Sequence, residues 1–218
     1  MEADRYAGAV RAQYELFTSG LTARHLTISA AGRDAKGVSE FRREGLVAIT
    51  TLLASVTALT ESYLTDLGRP TVIYDACDDK WLNQLRNIAI KNMNDLIVKM
   101  MGGGLRPADV LNRPGGAVGL LLQKKLDMPR LTVCDRAGRA RPADRMVATS
   151  ARDFAYQAYL DITIDRLDAD DVEFVDVVYP DPTHENHGMT IRLDEVGLIR
   201  KTIFHPNSSA RLVPHVQA

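Results

Sequence analysis

The densest set of chemistry-bearing side chains is Asp181-Pro182-Thr183-His184-Glu185-Asn186-His187-Gly188. Two imidazoles flanked by carboxylates are the donor types that hold zinc or manganese. The same groups could move protons in a nuclease. The order His-Glu-Asn-His does not match the helical H-E-x-x-H zinc motif, and Pro182, Asn186 and Gly188 are turn formers. The pattern favours a solvated loop with no bound metal, His184 and His187 being the candidates for ligating one. His205 and His215 stand alone near the end of the chain and read as surface residues.

A second polar set is Asp135-Arg136-Ala137-Gly138-Arg139. Asp starts a turn and Gly accepts a positive φ. Arg136 and Arg139 define a phosphate or ion-pair turn, and pairing with an acid such as Asp144 is the simpler use. Gly102-Gly103-Gly104 and Gly115-Gly116 lack the Gly-Lys-Ser/Thr ending of a phosphate loop. There is no G-x-S-x-G, no G-x-G-x-x-G after a strand and no paired-carboxylate motif. The sequence therefore points to no cofactor and to a protein that is not an enzyme.

The elements that must carry these sets follow from periodicity. Leu131-Thr132-Val133-Cys134 is short, apolar and β-branched, which predicts a buried strand with Cys134 inside. Pro142 and Asp144 open a helix on which Val147, Ala151, Phe154, Ala158 and Ile162 share a face. Strands are expected at 173–179, 189–193 and 198–204, with hairpin-like spacing. From Pro206 the chain is polar and irregular, ordered only if something binds it.

Upstream, residues 3–19 read as a helix stopped by Ser19-Gly20, and 20–37 as an extended connection. A helix over 40–67, capped by Ser39, carries Ile49, Leu52, Leu53, Val56, Leu59, Tyr63 and Leu64. Another over 80–101 carries Trp81, Leu85, Ile88, Met93, Leu96, Ile97 and Met100. Short helices are expected from Arg106 and at 118–126. The fold class is α+β: a helical N-terminal half of long antiparallel helices, then a small mixed α/β domain with a C-terminal β-hairpin. The expected division is 1–104, a helical arm or bundle, and 105–218, the α+β domain with its polar tail.

The chain has 218 residues, 45% hydrophobic and 25% charged, which is ordinary for a globular protein. A formal net charge of −1 does not indicate a general nucleic-acid surface, though local basic contacts stay open. The two cysteines, Cys77 and Cys134, lack metal or disulfide spacing and suit a reducing compartment. No signal-peptide pattern and no run near the roughly 20 apolar residues of a membrane span is evident, so no membrane association is expected.

The run Val133 to Arg139, then Met146-Val147-Ala148-Thr149-Ser150, Val175-Asp176-Val177-Val178, His184 to Gly188 and Met189 to Leu193 resembles the closing half of tailed-phage minor capsid proteins. These belong to the head-morphogenesis group that includes the Mu-type minor head proteins. The resemblance covers about 131–198. Ala140 replaces the usual aromatic after Gly-Arg, Ala148 replaces an Arg, and the 181–188 loop lacks the Cys pair of some members. Metal or nucleotide chemistry of such loops is therefore not carried over.

The resemblance implies a structural virion protein, found in the host cytoplasm during assembly, that binds portal or major capsid protein in an oligomeric assembly. Helical arms are implied for the N-terminal half. Long apolar faces there would exceed what a small β domain can cover, and Leu52, Val56, Leu59 and Tyr63 are the expected partner-binding residues. The alternative is a small metal-dependent nuclease or toxin-like enzyme built on the 181–188 loop.

Overall fold

The computed structural model describes residues 2–31, 34–68, 76–101, 131–134, 137–205 and 208–216. Three long helices come first: α1 (Glu2–Ala31), α2 (Ala35–Asp66) and α3 (Ala76–Met101). A two-stranded ribbon follows, β1 (Thr132–Cys134) and β2 (Ala140–Pro142), then α4 (Ala143–Ala169). The chain ends with β3 (Phe174–Val178), β4 (Met189–Arg192), a 3-10 turn (Leu193–Glu195), α5 (Val196–Ile203) and β5 (Arg211–Pro214). Long N-terminal helices followed by short strands and helices that end in a hairpin-like sheet are thus the observed α+β plan. Gly102 to Arg130, with the two short helices expected there, lies outside the described residues.

α1 runs on through Ser19-Gly20 instead of stopping there. Tyr14, Phe17, Leu21 and Ile28 continue one buried stripe, and that stripe outweighs the local cost of Gly. Thr22 and Thr27 return their hydroxyls to the carbonyls of Thr18 and Ala23, so these polar side chains are satisfied within the helix. The expected extended connection over 20–37 is therefore mostly helix. Asp34, not Ser39, caps α2: its carboxylate accepts from Gly37 N at 2.7 Å.

α4 does not belong to a separate C-terminal unit. It packs along α1 and α3, closing an up-down-up-down bundle in the cyclic order α1, α2, α3, α4. Its Val147, Ala151, Phe154, Ala155 and Ala158 share one core with Tyr6, Tyr14, Val56, Trp81 and Leu96. The other side of α4, through Tyr156, Leu160 and Leu167, enters a second core with the three-stranded sheet and α5. The packing therefore crosses the division expected at Gly104, and α4 joins the two cores.

A buried polar network ties the bundle helices together, although Asn92 Oδ1 has no hydrogen-bond partner among the described residues. Trp81 Nε1 donates to Tyr6 Oη at 3.1 Å, and Tyr6 Oη bonds Thr60 Oγ1 at 2.8 Å. Asn92 donates to Tyr14 Oη, and burial pushes the Tyr14 hydroxyl well above the usual tyrosine range. Gly45 lets α2 approach α3, since a Cβ there would lie 2.5 Å from Met93 Sδ. α2 alone among the described helices is long and apolar enough to cross a membrane, with a mean hydropathy of 1.4 over its most apolar stretch. This departs from the expectation of no such run. Its Ile49, Leu52, Val56 and Tyr63 are covered by the other helices, while 28% of that stretch is buried in all.

The sheet order is β4-β3-β5, antiparallel throughout. Two expectations change here. The segment 198–204, expected as a strand, is mostly helix, because Val196, Ile199 and Ile203 fall at helical spacing on the core while Leu198 is 83% exposed. The third strand comes instead from the tail. Ala210 and Leu212 point inward with period two, and β5 pairs Leu212 with Val177. Residues 208–216 of the tail are thus held by the chain's own sheet.

Candidate functional site

The 181–188 loop connects β3 to β4. Its backbone closes on itself: His184 N donates to Asp181 O, His187 N to His184 O, and Gly188 N to Val177 O. Gly188 takes φ +78°, where a glycine is needed. Thr183 N and Oγ1 both donate to Asp181 Oδ1, at 2.9 and 2.7 Å. These bonds, the hydroxyl first, hold the Asp181 carboxyl below its usual range.

Both imidazoles are engaged with the loop. His184 stacks on Tyr179, with ring centroids 3.6 Å apart and planes 10° apart, and its Nδ1 accepts from Asn186 N at 3.2 Å. His187 Nδ1 lies 3.1 Å from both the N–H and the carbonyl of Tyr179. It accepts from the first when that nitrogen is bare and donates to the second when protonated. Both His therefore turn Nδ1 inward. Among the described residues no group of three or more His, Cys, Asp or Glu is placed to hold a metal ion.

The 131–139 turn keeps Gly138 at φ +74°, as the spacing predicts. Asp135 and Arg136 lie outside the described residues, and Arg139 is exposed. Asp144 does not depend on this turn for a partner. Arg11 of α1 donates to it at 2.8 Å, tying α1 to the start of α4. Ala140 to Pro142 pairs back on Thr132 to Cys134 as β2. Val133 faces the helical core while Cys134 is exposed, so the expected burial of Cys134 does not hold. A two-stranded ribbon has one covered face, and the alternation puts Cys134 on the other.

The four expected partner-binding residues are engaged inside the molecule. Leu52, Val56 and Tyr63 are buried in the bundle, and Leu59 packs against it half-buried. Tyr63 Oη donates to the Ala155 carbonyl of α4 at 3.0 Å. These side chains hold the helices together: α1 and α3 flank α2, and Tyr63 reaches across to α4. The large apolar groups left exposed on the bundle include Leu16, Leu46, Val47 and Val98.

Two groupings had no local signal in the sequence. His215, read as a surface residue, is half-buried beside Asp176, with Nδ1 at 3.0 Å from Oδ1, and Thr190 Oγ1 donates to the same oxygen at 2.6 Å. Asp176 lies on β3, Thr190 on β4 and His215 directly after β5, so only the β4-β3-β5 order brings them together. The second grouping is a cavity of about 470 Å3 between the start of α1, α4 and residues 208–211. No family model, curated protein or solved structure matches the chain.

Proposed function

We propose that the protein is a structural minor head protein of a tailed phage or prophage, attached to portal or major capsid protein during head assembly. What carries this reading is the resemblance over 131–198, whose segments fall on successive parts of one packed unit: ribbon, α4, β3, loop and β4. α4 enters both cores, so that unit holds the bundle and the sheet together. The loop supports the same reading. Its imidazoles stack and hydrogen-bond within it, as suits a rigid connection between two strands. Docking through the helical half would use the exposed apolar side chains of α1 to α3 with arginine at the rim.

The test is co-expression with candidate portal and major capsid proteins, followed by sedimentation of assembled heads. The protein should travel with heads or with portal rings and be found in purified virions. A protein that stays at the top of the gradient and is missing from virions would defeat the reading.

A further inference from the structure

We propose that the cavity between the start of α1, the middle of α4 and residues 208–211 binds a small phosphate-bearing molecule of about nucleoside monophosphate size. Its volume, about 470 Å3, lies within the range of small-molecule sites. Tyr63, Tyr156 and Tyr159 line it, with Arg152, Arg211 and Ser209. The head-assembly reading uses none of its polar groups.

The rings and the charges have separable roles. Tyr63 Oη donates to the Ala155 carbonyl and Tyr156 Oη to the Ala210 carbonyl, at 3.0 and 2.8 Å. With their hydroxyls engaged, these rings are fixed as aromatic walls suited to a planar group. Asp4, at the rim, forms an ion pair with Arg152, its Oδ1 2.6 Å from Nε but not aligned for a hydrogen bond. Arg211 has no ion-pair partner among the described residues, yet its backbone is anchored by pairing with Val178 on β3. The lining thus holds two arginines and one carboxylate. A guanidinium is planar, always charged and matched to phosphate oxygens, so the excess cation selects a phosphate over a neutral group. The Ser209 hydroxyl adds a further donor at the same wall.

Isothermal titration of the full chain with adenosine monophosphate, and separately with adenosine, tests this. Adenosine monophosphate should bind, and adenosine at least about tenfold more weakly, because it lacks the charge-assisted contacts. Arg211→Gln should weaken adenosine monophosphate by at least about tenfold. Asp4→Asn, which frees Arg152 from its competing carboxylate, should tighten it. Both positions are exposed, and melting temperatures near that of the wild type would show that the variants fold. No binding of adenosine monophosphate overturns the proposal. Binding that neither variant changes overturns it too, as does adenosine binding equally well.

Discussion

Phe154 stacks on Trp81, with ring centroids 6.3 Å apart and planes 18° apart, so a residue from beyond the division expected at Gly104 sits in the core of the first three helices. Tyr6 closes the cluster from α1, 6.0 Å from Phe154. The small side chains of Ala151 and Ala158 leave room on α4 for the ring. Phe154→Ala should cost about 3–5 kcal/mol, as expected for a large buried ring. Urea unfolding followed by circular dichroism should show one transition displaced as a whole. A fragment starting at Leu105 should lose much of its helix, since α4 would expose Val147, Phe154 and Ala158. A fully helical, cooperatively folding fragment would show that α4 does not need α1 to α3.

The stripe from Val147 to Ala158 identified α4 and its buried face, because a period of 3.6 is written in the sequence. What that face packs against is not written there. The ring of Phe154 fits a helical partner as well as a strand. The same limit hides the role of Leu52 and Tyr63, whose type suits a bundle core as well as a docking face; the bundle buries both, and Tyr63 bonds α4. At 196–203 a short apolar run could be read with either period, and only Leu198 facing solvent decides for helix. The Asp176, Thr190 and His215 cluster has no motif, because strand order assembles it. In the 181–188 loop the turn residues were readable and the stacking of His184 on Tyr179 was not.

Asp176 gives a pH prediction. The Thr190 hydroxyl, followed by His215, holds its carboxyl below the usual carboxylate range. Folding therefore favours the ionised form. A depressed acid contributes stability above its unfolded value, about 3.9, and loses it as the pH falls through the lower folded value. Asp176→Asn should lower the melting temperature at neutral pH. The gap to wild type should close below about pH 4. Melting curves across that interval check it, and a gap that widens on acidification contradicts the assignment.

The loop histidines separate a structural role from a catalytic one. An exposed, unengaged loop would tolerate His184→Ala and His187→Ala with almost no loss. Here His187 bonds the Tyr179 backbone and His184 stacks on the Tyr179 ring. Replacing both should cost about 1–2 kcal/mol, the value of a hydrogen bond and a ring contact. Elemental analysis of the wild type should find no stoichiometric zinc or manganese, and DNA should not be cut in magnesium or manganese. A bound metal that disappears in the double variant would move the nuclease reading ahead of the structural one.

A partner can meet only the side chains that the bundle leaves exposed. Leu52 is 4% exposed and Val56 fully buried, so a charge at either site would break the bundle before it broke any complex. Loss of binding in Leu52→Asp would thus say nothing about docking. Leu46 and Val47 lie on the same helix and are 47% and 64% exposed. Exposed positions change stability by about 0.5 kcal/mol or less, so Leu46→Asp with Val47→Asp should leave the melting temperature nearly unchanged. If α2 docks on portal or capsid, that double variant should lose co-sedimentation with heads while Leu52→Asp unfolds. If it keeps co-sedimentation, the contact lies on another face. Leu16→Asp on α1 and Val98→Asp on α3, tested in the same gradient, would then decide between the remaining bundle faces.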